Sequence, residues 1–216
     1  KAATWLMTLD RLVGRETMDK IIKTYFERWK FKHPKTEDFI EIVNEVVKKQ
    51  HGNRFGENMN WFFEQTLYST EICDYKVHYI RNRKITPAFG VFDKNGGKNT
   101  LTREQANQNE NKMYHSKVVI HRLGEVVMPQ EILLRFENGK EIVEHWDGKS
   151  RTFELVYDSP DKIVAAHIDP EQKILLDINL NNNSYTTKPD STPFWKYFVK
   201  IMFWLQNIFQ SIAIFA

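Results

Sequence analysis

Residues Pro129–Gly148 read PQEILLRFENGKEIVEHWDG. Ile132, Leu134 and Phe136 alternate with other residues at the period of a strand, and Asn138-Gly139 is a tight hairpin signal. Ile142, Glu144 and Trp146 continue on the return strand, and Asp147-Gly148 makes a second turn. Downstream, Arg151–Tyr157 and Lys162–Ile168 alternate in the same way, and Lys173–Ile178 is the last strand expected. Short strands at this spacing, with turn residues between them, predict an antiparallel β-sandwich over 71–186. Within it, the strongly polar stretch 93–117 predicts a long loop or hairpin tip.

Upstream of this region the apolar period is that of a helix. Trp5, Leu6, Leu9, Leu12 and Val13 form one stripe, closed by Gly14. Met18, Ile21, Ile22, Tyr25, Phe26 and Trp29 form the next, expected to be buried, with Pro34 as its stop. Thr36 is the expected N-cap of a third helix, with Glu37 and Asp38 in its first turn. Phe39, Ile42, Val43, Val46 and Val47 give that helix its buried face, and a short helix over 60–68 follows. Helices with one apolar face each must pack on each other or on a further element. Residues 1–70 are therefore read as a helical segment. The expected class is α+β: a helical layer, a sandwich and a C-terminal amphipathic, hydrophobic helix.

The last region, 187–216, joins a polar linker to that helix. Lys196, Lys200, Asn207 and Ser211 share one face, beside Gln206 and Gln210, with Phe198, Ile201, Leu205, Ile208 and Ile212 opposite. Three expectations stand: docking on protein (its own core or a second copy), lying in a membrane interface, or spanning a bilayer. Through 194–216 the expected partners are thus another subunit or lipid. The compartment stays open, with a membrane-associated, periplasmic or cell-envelope location the one leaned towards.

The 216 residues are 41% hydrophobic, 27% charged and 13% aromatic, an ordinary globular balance rich in bulky side chains. A net charge of +3, with lysines interspersed among acids, gives no basic stripe and argues against nucleic acid. Cys73 is the single cysteine, so neither an intrachain disulfide nor a cysteine zinc cluster can form. KAATWLMTLDRLVG opens as if in mid-helix with no cap, which suggests a chain that starts inside a larger protein.

No catalytic, cofactor or metal residue emerges from the motifs. None of His33, His51, His78, His115, His121, His145 and His167 is paired at helical zinc spacing. Glu144-His145 are neighbours on a strand and point to opposite faces. GxSxG, P-loop and GxGxxG motifs are absent, and Gly96-Gly97 has no helix behind it to cradle a phosphate. Cys73 with His78 suggests a nucleophile only weakly against the reading of a small buried residue. Asp169, Asp177 and the asparagines 179 and 181–183 lack EF-hand spacing. Trp146-Asp147-Gly148 has no 40-residue repeat around it, which excludes a propeller.

The order of phrases resembles the C-terminal part of M1-family zinc metallopeptidases of the aminopeptidase N or leukotriene A4 hydrolase type, without the zinc-binding half. The similar phrases are KAATWLMTLDRLVG, RETMDKIIKTYFERWKFKHPKTEDF, Trp61-Phe62-Phe63-Glu64-Gln65 with Leu67-Tyr68, HRLGEVVMPQEILLRFENGKEIVEHWDG and IDPEQKILLDINLNNNSY. Thr66 stands where the family commonly has an aromatic. The resemblance covers about 1–186 apart from 93–117. It implies a helical layer that backs an active-site cleft, and a sandwich after it. It also implies that the zinc ligands, general base and oxyanion tyrosine precede Lys1. In the full-length protein, zinc-activated water would then hydrolyse peptides. This chain would be scaffold, inactive by itself, with the upstream half as its partner. The alternative is a non-enzymatic, membrane-tethered or oligomerising sandwich module.

Overall fold

The computed structural model describes residues 2–85, 90–94, 97–101, 112–188 and 191–215. The chain is α+β; among the described residues it has four helices, antiparallel sheets and a C-terminal helix. It divides into two compact units, Lys1–Tyr185 and Thr186–Ala216.

Helices α1 (Ala2–Val13) and α2 (Arg15–Trp29) meet at Gly14, whose φ of +86° lets its N–H close α1 on Asp10 O while its carbonyl accepts the Thr17 and Met18 N–H groups of α2. Helix α3 (Thr36–His51) starts one residue earlier in its cap than expected. Lys35 is the cap position, and the Asp38 carboxylate accepts the Lys35 N–H at 2.7 Å. Thr36 is already the first helical residue, and the Asp38 carboxylate at the third helical position reaches back to the cap amide, one half of a capping box. Helix α4 (Asn60–Thr66) follows. Leu9, Ile21, Ile42, Val43, Phe62 and Phe63 are buried at the centre of the layer. Trp5 binds the layer together. Its ring lies 5.6 Å from Phe62 and 5.8 Å from Phe63, and its Nε1 donates to Thr66 Oγ1 at 2.7 Å. Thr66 thus has its own use at the position where it departs from the resembling pattern.

One expected stripe is corrected. Ile21 is fully buried, but Ile22 is 45% and Phe26 66% exposed, while Tyr25 and Trp29 are half-buried. The apolar residues of α2 span too wide an arc for the neighbours α1 and α3 to cover. Leu6 and Met7 of α1 are exposed with them.

Strands β1 (Tyr75–Lys84), β4 (Tyr114–Arg122) and β7 (Thr152–Ser159) form one antiparallel sheet in the order β1-β4-β7. Strands β5 (Gln130–Phe136), β6 (Glu141–Trp146), β8 (Ile163–Ile168) and β9 (Ser184–Thr186) form the second, ordered β6-β5-β8-β9. Their inner faces share one core. Val77, Ile80, Val118 and Ile120 come from the first sheet, and Ile132, Leu134, Ile163 and Ile168 from the second. Trp146 stacks on Phe153 across the gap at 5.4 Å, and the Asn82 side chain bonds both backbone groups of Ile163. The helical layer belongs to the same apolar cluster. Gln65 ties it further, accepting the Val127 N–H at 2.6 Å and donating back to Val127 O at 3.3 Å.

The polar range 93–117 is not all loop. Strands β2 (Gly90–Lys94) and β3 (Gly97–Leu101) pair as a hairpin, and β4 already runs through 114–117. The reason is visible at the β4 end: Lys117 pairs with Glu154 at 2.8 Å and His115 with Asp158 at 2.7 Å across the ladder. Residues 95–96 and 102–111 lie outside the described residues. Lys173–Ile178 is also corrected: it is no strand but an irregular segment with a single bridge, Cys73 to Asp177. The Asp169 carboxylate accepts the N–H of Lys173 and of Ile174 at 2.8 and 2.7 Å, so carboxylates replace a ladder partner.

Gly148 has φ +74°, and a Cβ there would stand 2.2 Å from Met128 O and 2.9 Å from the Tyr75 hydroxyl. Gly139 has φ +84° with open space around it. Gly139→Ala is expected to cost about 1 kcal/mol, the penalty of the left-handed backbone alone. Gly148→Ala should cost about 3 kcal/mol or more, because the backbone itself must move. Urea unfolding of the two variants checks the difference; equal losses would remove the steric argument.

Candidate functional site

A cleft with polar lining opens beside the end of α1. It measures about 430 Å³ and is lined by Arg11, Arg54, Gln130, Trp146, Asp169 and Lys173, among others. Most of its charge is internally satisfied. Lys173 Nζ bonds both Glu131 oxygens at 2.7 Å and Glu171 at 3.2 Å; Arg11 donates to Gln172 O; and Arg54 lies over the Phe55 ring. Two buried polar atoms of its lining residues have no protein partner, Gln130 Oε1 and Trp146 Nε1. Such a cleft suits water or a small polar molecule. It brings no nucleophile–base pair together.

The histidines are dispersed. His33 is exposed in the turn before α3. His51 Nε2 lies 2.8 Å from Thr17 Oγ1 and 3.0 Å from Val13 O, which pins α3 to the α1–α2 junction. His115 pairs with Asp158. His145 is exposed on β6, and His167 is half-buried on β8. His78 and His121 are the one pair brought together: their rings stack at 4.4 Å. His78 sits at the register shift between Val77 and Tyr79, two residues from Lys76, which pairs with His121. Burial, then His78 and Lys76, holds the His121 imidazole below the ordinary histidine value.

Cys73 is buried, and burial followed by Asp177, Asp74 and Asp169 pushes its thiol far up, the opposite of nucleophile activation. Asp177 accepts the Tyr75 N–H at 3.1 Å, the Asn179 N–H at 2.9 Å and Asn183 Nδ2 at 3.1 Å. Even so, burial, with Asp74 adding to it, raises its carboxyl. Asp169 and Asp177, which lack EF-hand spacing, are thus directed at backbone amides and, for Asp177, at the Asn183 side chain as well. Among the described residues no group of three or more His, Cys, Asp or Glu side chains is placed to hold a metal ion. Gly96 lies outside the described residues.

The residues that sequence reasoning passed over are structural. Arg122 is buried, donating to Gly124 O at 2.8 Å, Glu125 O at 2.9 Å and Lys149 O at 3.2 Å. Gly124 is obligatory, since a Cβ would stand 2.0 Å from Ile72 O. The only signal for either was the HRLG phrase itself. No protein-family model matches the chain, and no curated protein matches it significantly.

Two outcomes test these environments. Cys73 should resist alkylation in the native protein and react at the unfolding rate; rapid native labelling would show an open thiol. For His121 the folded value lies below the unfolded one, so its contribution is intact above pH 6.5 and stability is lost as pH falls below that value. His121→Gln should flatten that part of the stability–pH curve, measured by denaturant unfolding at successive pH values.

Proposed function

We propose that this chain is the C-terminal scaffold of an M1-like zinc aminopeptidase whose zinc-binding half precedes Lys1. The observation that carries the reading is where the resembling phrases sit. Gly14 forms the α1–α2 joint, Gln65 binds the Val127 backbone, and Arg122 and Gly124 seat the loop after β4. Gly148 packs on Met128, and Asp169 closes the turn after β8. Each of these residues sits at a junction that constrains the chain physically, in the order in which the phrases run. The outer face of the helical layer supports the same reading. Leu6, Ile22, Tyr25, Phe39 and Leu67 line an apolar groove of about 800 Å³. Phe26 and Met7 extend that face. Contiguous exposed apolar surface of this kind marks an interface, here with the upstream half. In this reading the described residues supply scaffold and no chemical step. The amphipathic C-terminal helix favours a second reading, a membrane-tethered binding module without a zinc half.

The product extended upstream of Lys1 should bind one zinc per chain and release N-terminal residues from aminoacyl nitroanilides. An extended product with neither property overturns the peptidase reading and leaves the binding module. Ile22→Asp with Phe26→Asp should weaken association of the separately expressed halves at least tenfold, about 1.4 kcal/mol or more. Isothermal titration reads this, with an unchanged unfolding midpoint for the chain as control.

A further inference from the structure

Helix α5 (Thr192–Phe215) has 24 residues. We propose that it lies in the plane of an anionic membrane surface, with its apolar face among the acyl chains and Lys196 and Lys200 at the headgroups.

At 3.6 residues per turn, Lys196, Lys200, Asn207 and Ser211 stack along one side of the helix, flanked by Gln206 and Gln210. Phe198, Ile201, Leu205 and Ile208 lie on the opposite side, and their side chains are exposed. Trp195 and Trp204 fall on the two borders between these faces, with Tyr197 beside Trp204. Amphipathic rings at the border are what an interface, wet on one side and oily on the other, selects. Val199 and Phe203 interrupt the polar face, so the apolar surface predominates and the helix seats deeply.

Charge chooses among occupants. Lys196 and Lys200 are the only charged residues from 192 to 215, and no acid accompanies them. A second copy of α5 therefore offers no countercharge, and a helix pair would cover one seam of a face wider than half the circumference. Anionic lipid supplies the countercharge and covers the whole face. A spanning orientation would put Gln206 and Asn207, near mid-helix, at the bilayer centre. Among the described residues no helix is long and apolar enough to cross a membrane. Asn207 and Ser211 also lower their own demand for water by donating to Phe203 O and Asn207 O at 2.8 and 2.9 Å. This proposal does not depend on the peptidase reading.

Co-sedimentation of the full chain with vesicles tests it, using phosphatidylcholine alone and phosphatidylcholine mixed with phosphatidylglycerol. The chain should bind the mixed vesicles, more weakly as salt rises. Lys196→Gln and Lys200→Gln should each weaken that binding roughly fivefold. Leu205→Asp should abolish binding to both compositions while the unfolding transition of 1–185 stays in place. Brominated lipid should quench tryptophan emission, and the quenching should shrink in the Trp195→Phe, Trp204→Phe variant. Failure to sediment with either vesicle overturns the proposal. So does indifference to both lysine substitutions, or resistance of vesicle-bound chain to alkaline carbonate, the behaviour of a spanning helix. A stable dimer that Leu205→Asp dissociates, with no vesicle binding, would assign the face to a second copy.

Discussion

Tyr75 is the point on which three loops of the sandwich depend. Its side chain is fully buried, so its hydroxyl must be paired inside the protein. The hydroxyl accepts the Met128 N–H at 2.8 Å and offers its proton to Val126 O or Met128 O at 3.1 and 3.3 Å. Its own backbone N–H is taken by Asp177, which also holds Asn179 and Asn183. Its ring meets Trp146 edge-on at 5.5 Å, and Gly148 leaves the space the hydroxyl needs. Burial pushes the phenol up to about 12, so at neutral pH it remains a donor. One residue thus fixes the segments 126–128, 146–148 and 177–183 against the first strand, and Arg122 performs the same service for 124–125 and 149.

Dense polar bonding gathers the buried charged and polar groups at one end of the sandwich. Buried carboxylates, an arginine and a tyrosine are commonly the parts of a catalytic centre. Here Asp169, Asp177, Arg122 and Tyr75 are directed chiefly at backbone groups, with Asn183 also on Asp177, and burial pushes the thiol beside them up. Their role is to close loops that have no ladder partner. The surfaces still available for interaction lie elsewhere, on the outer side of α1 and α2 and along α5.

The hairpin over 130–146 was legible because Asn138-Gly139 and the alternation on either side agree, and the structure pairs Gln130 with Trp146 through to Arg135 with Glu141. The helices were legible from their stripes. β1 and β4 were not. A register shift at His78 breaks the alternation of β1, and Val118, Val119 and Ile120 of β4 are consecutively buried. Lys173–Ile178 shows the opposite error: apolar residues at strand-like spacing are held by carboxylate caps rather than by a neighbouring strand. Similarly, Ile22 and Phe26 belong to the stripe of α2 by period, but period says only which residues share a face. Whether a neighbour covers that face is decided outside the helix.

By itself the sequence determined the α+β class, the places of the four helices and the central hairpin, and the two-faced character of 192–215. These depend on local periodicity and turn chemistry, which neighbouring residues encode. Only the tertiary structure decided that Tyr75 and Asp177 meet, that Arg122 reaches Lys149 O, that His78 stacks on His121, and that the outer face of α2 stays exposed. Those facts depend on which distant segments share a core. A buried polar group finds its partner through that packing, at separations as large as the 102 residues between Tyr75 and Asp177.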